Sequence, residues 1–333
     1  MEESHIFNQF SSLAKGAAST EAYEVIDLPE MPHKLGTSSE GFPKFFVATN
    51  NSNSATQNII REMLSVEYNL PCSIVENGNV IQKDNFSIIT LRTLEKPLQA
   101  YFIDIFIMML QKLPAEPSKR ELSVEVENLI AIFSALNKPP RQKVQGLWAE
   151  LLVIERSLNP ETLINAWHES PTAKYDFTMG RDKIEVKSTS AEERIHHFTL
   201  DQLNPSQNSR LLIASVIVRE SGQGLGGLSV RNLYERICAR VTAVNARLHL
   251  YSVIVETIGS DWAKLDNTFF DYTEASDTLA FFDVANVPHI DKDSVPQFVS
   301  EVKFMSNLSH LLDVKNAESS FNRSDSPLYK SLF

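Results

Sequence analysis

Two short strand-like runs, residues 175–179 and 183–188, flank a turn that contains Gly180. This hairpin is the feature that most restricts the fold. Side chains alternate faces along a strand with period two, so Glu185 and Lys187 point the same way. A two-residue loop at Gly180-Arg181 sets Asp176 opposite Glu185, and one at Arg181-Asp182 sets it opposite Lys187. Both registers gather Asp176, Glu185 and Lys187 on one face and leave Phe177, Ile184 and Val186 to bury the other. A three-residue loop would bring Asp176 opposite Val186 instead.

The flanking segments read as an α/β core. A helix over 142–158 carries an apolar stripe at Val144, Leu147, Trp148, Leu151, Leu152 and Ile154. A short strand is expected around Ala166-Trp167, and a short helix over 200–203 that Asn204-Pro205 stops. Residues 211–218 form an Ile/Val-rich apolar run typical of a buried strand, and 228–244 a helix. Pro139-Pro140 ends the preceding helix, because proline donates no amide and clashes with helical continuation.

We therefore divide the chain into an N-terminal α+β domain (1–138), a core (139–245), a C-terminal accessory α/β region (246–314) and a polar tail (315–333). In the first, strands are expected over 44–49, 74–80 and 86–91, the last two around an Asn77-Gly78 turn, with helices over 97–113 and 123–136. The accessory region should hold strands over 251–257 and 278–284 and a helix over 300–312. The Ser/Asn-rich tail should be loosely held.

Cys72 and Cys238 suggest neither a disulfide framework nor a zinc site, which fits a reducing, cytoplasmic compartment. The acidic first residues lack the apolar run of a secretory signal. The greasiest stretch, 101–113, is interrupted by Asp104 and Gln111 and falls short of the roughly 20 apolar residues of a membrane span. It reads as a buried amphipathic helix, and no membrane partner is expected.

Two carboxylates on adjacent strands make a hard oxygen site suited to Mg²⁺, with Mn²⁺ as a substitute. A bound metal polarises a phosphoryl oxygen and acidifies a coordinated water, and a nearby lysine steadies charge developing on phosphorus. That is phosphodiester hydrolysis. The bland alternative is an exposed cross-strand charge pair worth roughly 0.2–1 kcal/mol. Glu150 lies beside the helix stripe, where an unpaired carboxylate is costly. It is either a site acid, a solvated one, or a partner for Arg156 or Lys143. Gln202 is either a site residue or an exposed helix glutamine.

The net charge of −11 opposes nucleic-acid binding. Residues 136–245, however, hold 14 Lys and Arg against 12 Asp and Glu, a balance of +2 that leaves −13 for the flanks.

The order Gly146-x-x-x-Glu150, Asp176, Glu185-Val-Lys187, then His197-x-x-x-x-Gln202-Leu resembles the PD-(D/E)XK nuclease superfamily. More narrowly, it is similar to a bacterial family of PD-(D/E)XK motif proteins of unknown function. The close resemblance covers about 146–240. It implies a restriction-endonuclease-like core with a central mixed sheet flanked by helices. It also implies that Asp176, Glu185 and the Val186 carbonyl hold the metal with Glu150 as accessory acid, that Lys187 positions the attacking water, and that Gln202 assists near the substrate. Such families sit among restriction or phage-defence genes, so DNA is the implied substrate, and an ATPase, helicase or methyltransferase an implied partner. Self-association is left open. The name-giving proline is displaced: residue 175 is Tyr, and the nearest upstream proline is Pro171.

Other motifs weigh less. Residues 222–227 fit G-x-G-x-x-G between a strand and a helix. No Asp or Glu lies near 20 residues beyond, since Glu235 comes too early, so the run reads as a connecting loop whose amides could track a DNA backbone. The adjacent His196 and His197 point apart on a strand and lack further ligand spacing; His197 reads as a surface or substrate-side residue. Arg210, Arg219, Arg231, Arg236 and Arg240 serve either helix solvation or phosphate contact. The reading is a Mg²⁺-dependent deoxyribonuclease, with a non-catalytic DNA- or protein-binding subunit on the same fold as the alternative.

Overall fold

The computed structural model describes residues 2–13, 22–50, 56–76, 79–168, 173–223, 226–316 and 325–332. The chain forms two compact units, 1–134 and 135–333.

The first unit runs α1 (Glu2–Ser12), β1 (Ala22–Asp27), β2 (Lys34–Thr37), β3 (Pro43–Val47), β4 (Ile59–Ile60), β5 (Leu64–Glu76), β6 (Asn79–Leu91), α2 (Lys96–Gln111) and α3 (Lys119–Ala135). Its strands follow the order β1-β2-β3-β6-β5-β4, and β1 also pairs in parallel with β5, closing the sheet on itself. Closure pairs the β1 edge that would otherwise invite another chain, and β4, two residues long, is a short edge strand. Pro97 in the first turn starts α2, where a missing amide costs nothing. The helix then buries Leu98, Phe102, Phe106 and Met109 among others, and Phe45 of β3 meets Phe102 and Phe106 edge-on at 5.4 and 4.8 Å. The Asn77-Gly78 turn lies outside the described residues.

The second unit continues with α4 (Val144–Arg156), α5 (Pro160–Ala166), β7 (Phe177–Met179), β8 (Asp182–Thr189), β9 (Ile195–Thr199), α6 (Leu200–Leu203) and β10 (Arg210–Ile217). Then come β11 (Gly227–Leu228), α7 (Val230–Cys238), α8 (Val244–Ile258), α9 (Lys264–Asn267), β12 (Phe270–Asp271), α10 (Tyr272–Thr278), β13 (Ala280–Asp283), β14 (Lys303–Asn307) and α11 (Pro327–Lys330). A mixed sheet of order β13-β10-β8-β7 lies at its centre. β8 and β10 run parallel, while β7 and β13 flank them antiparallel. Leu211 to Ala214 of β10 are fully buried, as a central strand covered on both faces requires.

Helices α4 and α7 pack together on one side of β8. Trp148 of α4 fixes this layer through an Nε1 donation of 2.9 Å to Leu228 O and a 5.3 Å ring contact with Phe270. The other side carries the β9–β14 ribbon and α6, with Tyr175, Phe198, Leu203, Leu211, Ile213, Phe282 and Leu308 forming one apolar cluster. This is the mixed α+β, helix-flanked sheet the sequence implies.

Several local expectations are corrected. Residues 251–257 lie in α8 and are helical; a helix buried on most sides shows no polar stripe, so its apolar run imitates a strand. The helix expected over 228–244 is shorter: α7 ends at Cys238, and α8 begins at Val244, just after Glu161 accepts the amides of Thr242 and Ala243. Within 300–312 the chain forms β14, whose Lys303 and Met305 face outward while Ser306 is buried. Ala166 ends α5, and the expected strand there reduces to one bridge between Trp167 and Phe177. Past β10, β13 joins the central sheet, so part of 246–314 builds the core itself. The tail is anchored in its described end: Leu328 and Tyr329 are fully buried, and Tyr329 Oη donates to Arg210 O at 2.8 Å.

Candidate active site

The hairpin adopts the Gly180-Arg181 register. Phe177 pairs with Ile184, Thr178 with Lys183 and Met179 with Asp182. Gly180 has φ 57°, a left-handed conformation that glycine takes at no steric cost in a two-residue hairpin turn. Continuing the register by one step brings Asp176, just ahead of β7, level with Glu185. Asp176 is fixed there because Val186 N donates to its Oδ2 at 2.6 Å.

β8 then sorts its side chains. Ile184 is fully buried and Val186 nearly so. Glu185 and Lys187 face the other way, paired along β10 with Ile213 and Ser215. Lys187 Nζ lies 2.7 Å from Glu185 Oε1 and 5.1 Å over the Phe198 ring of β9. Gln202 donates to the same Glu185 oxygen at 2.5 Å. A capping box holds Gln202: Thr199 Oγ1 accepts the Gln202 amide while Gln202 Oε1 accepts that of Thr199. Gln202 is thus neither an exposed helix residue nor far from the acids.

Glu150 reaches the site from α4 and is 3% exposed, so the solvated alternative is excluded. Its Oε1 accepts from Gln142 Nε2 at 2.8 Å and its Oε2 from Trp167 Nε1 at 2.6 Å. Arg156 instead contacts Tyr272 Oη, at 3.5 Å.

The sequence reading missed His168. Its Nε2 lies 2.9 Å from Glu150 Oε2 and 3.9 Å from Asp176 Oδ1. Among the described residues, the ligand-type atoms of Glu150, His168 and Asp176 all fall within 4.8 Å of one another. The available signal was slight: a histidine at the end of a helix, eight positions before the aspartate, in a segment that only the folded chain brings alongside it.

These acids repel. Burial, then the nearby Glu185 and Glu150 carboxylates, push Asp176 well above the usual carboxylate range. Burial likewise raises Glu185, opposed by the Lys187 ammonium. Such a pocket is what a divalent cation relieves, and the donor set of two carboxylates and an imidazole fits one.

The remaining motif residues go elsewhere. His196 is buried with its Nε2 2.8 Å from Ser215 Oγ, and burial pulls its pKa down to about 4; His197 is exposed. The five arginines singled out after the triad, Arg210, Arg219, Arg231, Arg236 and Arg240, are engaged internally. Arg210 pairs with Asp182 at 2.7 Å, Arg231 with Asp266 at 2.6 Å and Arg236 with Glu155 at 2.7 Å. Arg219 pairs with Glu274, and Arg240 donates to Glu155 O and Ser157 O. Positions 224–225 of the glycine loop lie outside the described residues, and Gly227 is spent in pairing with Asp271. No helix among the described residues is long and apolar enough to cross a membrane.

No curated protein and no solved structure matches the chain. The family model described as "Putative PD-(D/E)XK family member, (DUF4420)" matches residues 11–309, nearly the whole chain and all of the acids and the lysine just described. The chain belongs to this PD-(D/E)XK family.

Proposed function

We propose that this chain hydrolyses DNA phosphodiester bonds with a divalent metal ion, Mg²⁺ or Mn²⁺, bound beside Asp176. One observation carries the reading: Glu150 of α4, Asp176 just ahead of β7 and Glu185 of β8 are drawn into one water-poor pocket with the Lys187 ammonium beside them. The repulsion that remains at Asp176, beyond what the donors to these acids offset, is costly to bury and supports a functional reading.

In this proposal Asp176 and Glu150 hold the ion, and the Val186 carbonyl and Glu185, both on β8, complete or support the set. The bound metal would polarise a phosphoryl oxygen and lower the pKa of a coordinated water. Lys187 steadies charge that develops on phosphorus and orients the attacking water. Its aim is set by Glu185, which Gln202 pins from α6. The Trp167 indole and the Gln142 amide hold Glu150 from both oxygens, so the acid arrives oriented.

A second reading, a non-catalytic binding subunit, draws on the net charge of −11 and on the internal use of the five arginines. Within the nuclease proposal, the same observations call for a partner to supply DNA affinity, such as an ATPase, helicase or methyltransferase of a restriction or phage-defence system. The test is incubation of the full chain with supercoiled plasmid and Mn²⁺ or Mg²⁺, beside Asp176→Ala and Lys187→Ala. Wild type should nick or linearise the plasmid, and both variants should lose about 10²-fold or more of that rate while keeping their circular dichroism. Undiminished cleavage by both variants would defeat the assignment.

A further inference from the structure

His168 occupies a corner of the site that the motif leaves unassigned. The fold puts it there by several routes. Trp167 follows α5 at its C-cap and bridges to Phe177, which carries the chain alongside the aspartate. The His168 amide donates to Asp176 O at 2.9 Å. Its backbone has φ 41°, a left-handed conformation that histidine tolerates better than branched residues do. The imidazole is thereby fixed with Nε2 facing two carboxylates, and its side chain is still 27% exposed.

Glu185, the acid that the motif would assign to the metal, has one oxygen already engaged. Lys187 and Gln202 both donate to its Oε1, at 2.7 and 2.5 Å. The convergent atoms are those of Glu150, His168 and Asp176.

We propose that the metal of this site is held by a mixed set, the Glu150 and Asp176 carboxylates with the His168 imidazole, and that the nitrogen donor makes the site select Mn²⁺ over Mg²⁺ and Ca²⁺. The inference rests on the metal-dependent reading above and adds a ligand and a preference to it. Mn²⁺ shares the liking of Mg²⁺ and Ca²⁺ for carboxylate, carbonyl and water, but as a first-row transition ion it accepts an imidazole nitrogen more readily than either. Mg²⁺ also sheds its water reluctantly, which penalises it where the protein supplies several ligands at once. Trp167 Nε1, at 2.6 Å from Glu150 Oε2, is the outer partner that keeps the carboxylate in place when the ring turns its lone pair to the ion. The competing arrangement is an imidazolium that only donates to Glu150, leaving a metal on oxygen alone.

The experiment uses the full chain, loaded with Mn²⁺ and read by electron spin-echo envelope modulation for ¹⁴N coupling. Calorimetric titrations with Mn²⁺ and Mg²⁺ run in parallel. His168→Asn is the variant, since asparagine also accepts a left-handed backbone and offers oxygen in place of nitrogen. Wild type should show imidazole ¹⁴N modulation and bind Mn²⁺ more tightly than Mg²⁺. The variant should lose the modulation, and its Mn²⁺-to-Mg²⁺ affinity ratio should fall by roughly tenfold or more, the low end of what losing even an outer-shell partner costs. Wild type that binds Mn²⁺ without ¹⁴N coupling overturns the inference while the metal-dependent reading stands. Coupling that survives in the variant assigns the nitrogen elsewhere and also overturns it. Wild type that takes up no Mn²⁺ defeats both. The wild-type spectrum and affinity ratio decide the matter even if the variant does not fold.

Discussion

Asp176→Asn should make the metal-free protein more stable and the metal-loaded protein less so, reversing the order of the two melting curves. Asparagine keeps the shape and can still accept the Val186 amide, so the change is almost purely one of charge. Two unit charges about 4 Å apart repel by roughly 4 kcal/mol at an effective dielectric of 20. The Lys187 ammonium offsets part of the repulsion that Glu185 and Glu150 impose, so a net release of about 1–3 kcal/mol is expected. For a unit the size of 135–333, that is a rise in Tm of roughly 3–10 °C. The pH dependence follows from the sign of the shift. Asp176 is raised, so the unfolded chain gives up its proton first, and the wild type loses stability as pH climbs from the ordinary carboxylate value near 4 toward the raised one. The gain in Asp176→Asn should therefore be small at pH 4 and full near pH 8. With Mn²⁺ at about 100 times its Kd the wild type gains roughly 2.7 kcal/mol by mass action, and the variant should gain little. Thermal melts in EDTA and in Mn²⁺, at both pH values, read all four states. If Asp176→Asn melts at or below wild type in EDTA at pH 8, the argument that the acids repel one another is wrong.

Other residues give separate checks. His196 is kept neutral by burial, with its pKa near 4 against 6.5 in the unfolded chain, so its share of stability is present above pH 6.5 and lost as pH falls through 4. His196→Gln should flatten that decline by up to about 3 kcal/mol in urea titrations between pH 7 and 4. Tyr329→Ala empties a fully buried site and removes the hydroxyl that bonds Arg210 O; a loss of about 3–5 kcal/mol in chemical denaturation is expected, and a loss under 1 would show the C-terminal helix to be a passive appendage. Gly180→Val forces a branched side chain to φ 57° and should cost about 1–2 kcal/mol in the same assay, whereas an unchanged midpoint would contradict the turn assignment.

How much of this was legible beforehand depended on distance along the chain. The hairpin is local: alternation fixed which side chains share a face, and the glycine fixed where the turn could lie, so Asp176, Glu185 and Lys187 were readable together. Gln202 was readable as a candidate, but its role became definite only with a capping box that points its amide at β8. Glu150 is different in kind. Its position in an amphipathic helix said that burial would be costly, not which partners would offset the cost, and those partners come from Gln142, Trp167 and His168. His168 left no periodicity to read, because it sits at a helix end in a single left-handed residue. The same limit explains α8, whose apolar surface hides its period, and the tail, whose polar composition gave no hint that Tyr329 would fill a core position.

Charge shows where a count along the sequence misleads. The balance of +2 over 136–245 suggested a footing for a polyanion, yet folding commits Arg210, Arg219, Arg231 and Arg236 to carboxylates and Arg240 to backbone carbonyls. Those arginines hold helices and strands together. Among the cations left beside the acids are Lys187 and Lys174, the latter exposed, 5.0 Å over the Tyr175 ring and within the field of Asp201 and Glu185. Lysine is a point charge on a flexible stem, whereas arginine offers the planar fork that reads a guanine edge. Under the nuclease proposal, a site furnished this way would contact phosphates without distinguishing bases. If DNA is the substrate, sequence preference therefore has to come from outside the acid cluster, from another part of the chain or from a partner, and the cluster itself supplies the chemistry.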